Sequence, residues 1–340
     1  MDTVLLVSAI VLGSLVLVVL LWIFRPAILS RHNASKPKLK NKFCDSKGEI
    51  DTDNQIHEHA KCDISLVVPA YNEELRLVPM LDETTHFMTT WSARSSITYE
   101  IIVVDDGSSD STVDVVRRYM SKKDSHIKLL ILGTNRGKGG AVKCGVHRAS
   151  GRHILMVDGD AATDIKDLEK VYTRLREAEV PGLGIFDRSQ RPVGMAVGSR
   201  AHMAEDSVAS RSLLRTILMK GFHFLVMILI SRNVEDTQCG FKLFSKETAR
   251  TLFHLLHLEK WSFDVELIFL AESLEMPIVE VPVNWHEVDG SKLIQSKWDI
   301  ATTSLTMARD MLCVRLCYML GFWSCHRDAI KVDLSEKKSQ

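Results

Sequence analysis

Ile64-Ser65-Leu66-Val67-Val68-Pro69-Ala70-Tyr71-Asn72-Glu73-Glu74 reads as a short apolar strand, closed by a proline and followed by an acidic helix start. The pattern recurs along the chain. After Ile64 to Val68 comes a helical stretch over 73–91; Tyr99 to Val104 precedes 111–120, Ile127 to Leu132 precedes 139–149, and His153 to Val157 precedes 164–178. Such alternation predicts an α/β fold, a mostly parallel sheet with helices on both faces. In such sheets ligands sit beyond the carboxyl ends of the strands, so the residues closing each run are the candidates for function.

Those ends are polar. Asn72 and Glu73 fit a helix cap. Asp105-Asp106-Gly107-Ser108-Ser109-Asp110 sets two adjacent acids before a turn, and like charges so close need a partner, which favours a binding role over capping alone. Gly133-Thr134-Asn135-Arg136-Gly137-Lys138-Gly139-Gly140 fails the P-loop pattern, because three residues separate Gly133 from Gly137-Lys138 and no Ser or Thr follows. A glycine-rich turn at a helix start still presents N–H groups and a positive dipole end, so a phosphate is one reading and a plain turn the other. In Val157-Asp158-Gly159-Asp160-Ala161, Asp158 and Asp160 point the same way if the strand continues through them, and two convergent carboxylates suit Mg2+ or Mn2+ bound with a diphosphate.

Working outward, Val4 to Phe24 is an apolar run broken only by Ser and Gly; at about 1.5 Å per residue it reaches ~30 Å, enough for a bilayer. A cleaved signal peptide would have a shorter apolar region, a basic start and a small-residue cleavage site. Asp2 precedes the run, whereas Arg25, Arg31, Lys36, Lys38, Lys40 and Lys42 follow it, which orients the rest of the chain to the cytoplasm. Asn33-Ala34-Ser35 is a glycosylation sequon whose use requires the opposite orientation. With 43 Lys plus Arg against 43 Asp plus Glu there is no global basic field, and nucleic acid is not an expected partner. Seven scattered cysteines lack CxxC pairing and fit reduced thiols.

The expected divisions are an anchor at 1–25, a polar linker at 26–61, a catalytic domain at 62–295, amphipathic C-terminal helices at 296–326 and a polar tail at 327–340. The segment 182–192 reads as a loop before a strand at 194–198. Leu213 to Ile230 and Ile300 to Trp323 are apolar but carry charges, so each reads as an interfacial or core helix rather than a second span.

The motifs Val68-Pro69-Ala70-Tyr71-Asn72-Glu73-Glu74, Val103-Val104-Asp105-Asp106-Gly107-Ser108, Asn135-Arg136-Gly137-Lys138-Gly139-Gly140-Ala141 and Asp158-Gly159-Asp160 resemble those of the inverting GT-A (Rossmann-like) glycosyltransferases of family 2. Later stretches, among them Gly198-Ser199-Arg200-Ala201-His202, Asp236-Thr237-Gln238-Cys239-Gly240-Phe241-Lys242 and Trp261-Ser262-Phe263-Asp264-Val265-Glu266, resemble its dolichyl-phosphate-glucosylating branch from about Ile64 to Trp323. One departure is visible: that family carries Ala between the two acids and Gly after them, whereas here Gly159 lies between and Ala161 follows.

The resemblance implies glucose transfer from UDP-glucose to dolichyl phosphate at the cytosolic face of the endoplasmic reticulum membrane. By motif position it places Pro69, Tyr71, Glu73, Asp105 and Asp106 around the nucleotide, Lys138 near the base or diphosphate, and Asp158 with Asp160 on the metal. Asp236 and Asp160 are the expected catalytic acids, Asp236 orienting the acceptor or adjusting its protonation. A phosphate acceptor has a second pKa near ~6 and needs cationic positioning more than a base, for which Arg200, Arg211 and Arg215 are the candidates. Mannosyl transfer from GDP-mannose and a non-catalytic, membrane-tethered nucleotide-sugar-binding scaffold are the competing readings.

Overall fold

Strands β3 (Cys62–Ala70), β4 (Tyr99–Asp105), β5 (Ile127–Ile131) and β6 (Gly151–Val157) are rich in Val, Ile and Leu, and their apolar residues are buried on both faces, as central parallel strands require. A computed structural model describes residues 2–35, 41–50, 55–122, 125–183, 190–203, 221, 224–288 and 297–325, with the side chains of 2–13, 31–35, 183, 190 and 297–300 outside the description. β3 pairs in parallel with β4 and β6, and β4 with β5. The helices between them are α2 (Leu77–Ser95), α3 (Thr112–Met120), α4 (Lys138–Arg148) and α5 (Asp167–Ala178), each within a few residues of its sequence-based bounds.

Beyond β6 the chain completes the sheet with β9 (Met195–Ser199), β10 (Phe241–Ser245) and β11 (Ile278–Pro282). β10 runs antiparallel between β6 and β9, with Phe241 opposite Val157, so the residues just before β10 share an edge with the carboxyl end of β6. α6 (Lys246–Leu255) and α7 (Phe263–Ser273) join α4 on one face, while α2, α3 and α5 cover the other. Alternate residues of one strand serve the two cores: Val67 and Ile102 face the first, Leu66, Val68 and Ile101 the second. Each such fully buried aliphatic side chain contributes about 1.5–3 kcal/mol.

Three expectations are corrected here. The linker at 26–61 is not a plain tether: α1 runs through it to Ser35 (Asp2–Ser35), and β1 (Lys42–Asp45) pairs antiparallel with β5 and with β2 (Gly48–Glu49), capping the sheet edge because Phe43 buries into the core. The 182–192 loop is in part an antiparallel ribbon, β7 (Val180–Leu183) with β8 (Gln190–Val193), and 184–189 lie outside the described residues. The expected span Val4 to Phe24 lies within α1, but among the described residues no helix is long and apolar enough to cross a membrane.

α8 (Lys297–Met319) turns Met311, Cys313, Val314 and Cys317 inward and lies against α1, and just beyond its end Phe322 meets Phe24 of α1 edge-on at 5.9 Å. It is therefore half core helix and half surface. The seven cysteines are free thiols.

Candidate active site

The loops after β3 and β4 are stitched together by their polar side chains. Asn72, at φ 55, accepts from the Ser109 and Asp110 N–H groups through Oδ1, while its own N–H donates to Ser108 Oγ. Glu73 N–H donates to Thr112 Oγ1, and Ser111 N–H to the Glu74 carboxylate. Pro69 is half-buried just before this junction and Tyr71 is exposed on its rim. The expected helix cap is corrected: the N-cap of α2 is Arg76, with no side-chain cap bond, while Asn72 and Glu73 bridge two loops.

Asp105 and Asp106 are both buried. Asp105 accepts from Ser108 N–H at 3.2 Å, and Asp106 accepts from the Arg136 and Gly137 N–H groups at 2.7 and 2.8 Å. Burial pushes the Asp106 carboxyl up to about 6, against the lowering effect of those two donors. Three N–H groups of the glycine-rich turn are committed within the chain. Those at 136 and 137 are taken by Asp106, and Gly140 N–H donates to Glu259 O at 2.8 Å. The glycines are needed for close packing: a Cβ on Gly137 would come within 2.7 Å of Glu259 O, and one on Gly139 within 2.7 Å of Phe263.

Asp158 follows the last residue of β6, and the chain turns through Gly159 and Asp160, so the strand does not continue through the two acids as expected. The turn is held by Ala162 N–H donating to Asp160 Oδ1 at 3.1 Å and by Ala161 at φ 61, a left-handed conformation that is costly for a residue with a Cβ. Each acid meets a cation of the chain. The Lys138 ammonium lies 2.6 Å from Asp158 Oδ1, and an Arg76 guanidinium nitrogen 3.7 Å from Asp160 Oδ2, while Arg76 also forks onto Glu73. Burial is the largest influence on the Lys138 pKa and lowers it, but the carboxylates of Asp158, Asp264 and Asp160 together turn the net direction upward.

Among the described residues no cluster of three or more His, Cys, Asp or Glu side chains could hold a metal. A magnesium-type ion needs fewer, because one or two carboxylates and the substrate phosphates complete its octahedron. Asp158 Oδ1 fits that use: it is a buried oxygen without a hydrogen bond of proper geometry, although the Lys138 charge stands beside it.

Arg200 follows β9 and grips Asp236 in a fork, Nε to Oδ2 at 2.7 Å and Nη2 to Oδ1 at 2.9 Å, with its N–H adding a third bond. Burial works against the Asp236 charge, but Arg200 more than offsets it and holds the carboxyl below its usual range, so Asp236 is a weak base. The guanidinium also lies 5.4 Å over the Trp285 ring. Glu280 fixes the same loop by accepting the N–H groups of Glu235 and Asp236 at 2.9 Å each. Arg211 and Arg215 lie outside the described residues.

Sequence reading missed Arg76, Glu280 and Gly240. Arg76 lies one helical turn after Glu73, a spacing that signals an ion pair. Nothing local marks Glu280 or Gly240, since their partners are 44 and 82 residues away in sequence.

The glycosyl transferase family 2 model matches residues 65–253. Among curated proteins, the dolichyl-phosphate beta-glucosyltransferase of Dictyostelium discoideum is 48% identical over 76% of this chain and 76% of its own, and that of Homo sapiens 42% identical over 87% and 86%. The Saccharomyces cerevisiae protein of the same name is 36% identical over 79% of each. Mannosyl-3-phosphoglycerate synthase from Rubrobacter xylanophilus shares the fold, with a TM-score of 0.51 at 17% identity over 77% of this chain and 76% of that one, which makes the architecture GT-A-like. The chain belongs to glycosyl transferase family 2 and, within it, to the dolichyl-phosphate beta-glucosyltransferases.

Proposed function

We propose that this chain transfers glucose from UDP-glucose to dolichyl phosphate with inversion, giving dolichyl β-D-glucosyl phosphate. One observation carries the reading: Asp158 stands where donor-side Lys138 and the acceptor-side loop from Asp236 to Gly240 meet at a single sheet edge. The name shared by relatives that are 36–48% identical over most of the chain supports glucose and dolichyl phosphate over mannosyl transfer.

In this reading Pro69, Tyr71 and Glu73 flank the nucleotide, while Asp105 and Asp106 set the loops around it. Lys138 meets the diphosphate as a point charge. Asp158 and Asp160 would hold Mg2+ or Mn2+, and such an ion would supply Lewis-acid charge at the leaving diphosphate. Arg200, with two of its five side-chain N–H groups engaged by Asp236, offers the others to the acceptor phosphate. Asp236 orients that arginine. The acceptor oxygen is already anionic near neutral pH, so no strong base is required.

The acceptor is a lipid, and α1 is the natural means of meeting it: Leu15, Val16, Leu17 and Val18 are all at least half exposed, and Arg25 and Arg31 follow them. α1 then lays this exposed apolar stretch against the endoplasmic reticulum membrane, with the catalytic residues on the cytosolic side.

Microsomes expressing the chain, given radiolabelled UDP-glucose, Mg2+ or Mn2+ and dolichyl phosphate, are expected to yield a chloroform-soluble glucolipid. Consumption of GDP-mannose in place of UDP-glucose would overturn the sugar assignment; consumption of neither by folded protein would leave a binding scaffold.

A further inference from the structure

Three neighbouring residues of α8 reach three different parts of the molecule. Asp310, 5% exposed, accepts the Ser262 hydroxyl on Oδ2 at 3.0 Å. Its Oδ1 accepts Arg309 Nε at 3.0 Å and Nη2 at 2.6 Å. Arg309 in turn sets its guanidinium 5.6 Å over the Trp22 ring of α1. Met307, about one turn before Asp310, meets the Gln238 amide through its thioether sulfur at 3.9 Å.

Ser262 gives up a local bond for the distant one. It is the N-cap of α7, where a serine hydroxyl ordinarily accepts an N–H of the first turn, yet its side chain makes no cap bond. The hydroxyl is buried and donates instead to a carboxylate 48 residues away. A hydrogen bond to an ionised acceptor is stronger than one between neutral groups, so Asp310 holds Ser262 firmly.

Ser262 belongs to the segment that supports the glycine-rich turn. Glu259 O accepts Gly140 N–H at 2.8 Å, a Cβ on Gly137 would come within 2.7 Å of that same oxygen, and Gly139 lies against Phe263 with no room for a side chain. Within the segment, the Trp261 ring centre stands 5.8 Å from the Lys138 ammonium. A shift of residues 259–263 therefore moves the start of α4, and Lys138 with it. The other end of this row of contacts is exposed apolar surface: Trp22 is 39% exposed and directly follows Leu21, 53% exposed, on the stretch of α1 assigned above to the membrane.

We propose that Asp310 is a positioning residue that ties the seat of α1 to the donor side of the site. Trp22 places Arg309, Arg309 and Ser262 share Asp310, and Ser262 fixes the segment that supports Lys138. The proposal rests on the donor-side role given to Lys138 above. The loop from Asp236 to Gly240 stands apart from it, since Arg200 and Glu280 hold that loop and α8 adds only a weak thioether acceptor.

The test uses the full-length protein in detergent. Asp310→Ala would leave Arg309 without its buried counter-charge and endanger folding, whereas Ser262→Ala removes one hydroxyl and keeps the ion pair. For Ser262→Ala, KM for UDP-glucose and the Kd of UDP, titrated calorimetrically with Mg2+, should each rise about three- to tenfold, with KM for dolichyl phosphate unchanged within about twofold. Trp22→Ala should raise the UDP Kd about two- to fivefold, and should add nothing further to Ser262→Ala, because both act through Asp310. Unchanged UDP affinity in folded Ser262→Ala would overturn the proposal, as would equal rises in both KM values or effects of the two variants that multiply. Wild-type protein that binds no UDP would strike the donor-side reading and the proposal together, whereas wild-type UDP binding left unaltered by Ser262→Ala strikes the proposal alone.

Discussion

The carboxylate of Asp158 lies directly against the Cα of Gly240, where β6 ends and β10 begins. A Cβ at 240 would overlap both carboxylate oxygens, so the contact is possible for glycine alone. It couples Asp158 to the loop that carries Asp236.

Gly240→Ala is therefore predicted to displace Asp158 and abolish transfer. Overpacking of this kind costs about 1–3 kcal/mol, a loss the folded protein can survive. Transfer assays and thermal melts should show activity lost out of proportion to stability; a fully active Gly240→Ala would mean that the acid does not need its present position.

Asp158→Asn and Asp160→Asn each remove one charge without changing shape. Electrostatic groups aimed at a developing charge are worth about 10²–10³ in turnover, and each variant should lose at least that much while melting near the wild type. EDTA should stop the wild-type reaction and Mn2+ or Mg2+ restore it. Normal turnover in both variants would remove the metal assignment.

Arg200→Lys keeps the charge but loses the two-pronged grip on Asp236. The predicted effect is on the acceptor: KM for dolichyl phosphate rises about tenfold or more, with KM for UDP-glucose little changed. An effect on the donor alone would move Arg200 to the other half of the site.

Asp106 gives the pH dependence a definite sign. Its carboxyl is raised to about 6 by burial, so the folded state keeps this proton where the unfolded chain has lost it. Its contribution is greatest below the ordinary carboxyl range and falls as pH rises from about 4 to 6, by roughly 2–3 kcal/mol at most. Denaturation of wild type and Asp106→Asn across that range should show the difference shifting in favour of the asparagine variant. A shift the other way would show that the N–H groups of Arg136 and Gly137 dominate over burial.

Ala161 holds a left-handed φ of 61. Replacing it by glycine removes about 1 kcal/mol of strain and adds part of that back as unfolded-state entropy, for a net gain of roughly 0.5 kcal/mol. The melting point should rise by about 1–2 °C. A fall would mean that the turn is not strained at 161.

The amino-acid sequence by itself determined the repeating strand and helix order, because apolar period and strand-end polarity are local properties. β3 to β6 and the helices after them fall within a few residues of that reading, and the acids at 105, 106, 158 and 160 lie at the expected edge. It also carried the family resemblance, since motifs survive as short strings. The tertiary structure decided which groups those acids face. Asp106 takes the glycine-rich turn, Asp158 meets Lys138 and Gly240, and Asp236 is held by Arg200 and Glu280. The antiparallel entry of β10 and the sheet edge added by β1 were equally invisible in local pattern. Register between strands far apart in the chain sets these contacts, and a one-residue slip in any pair would turn every partner to the opposite face.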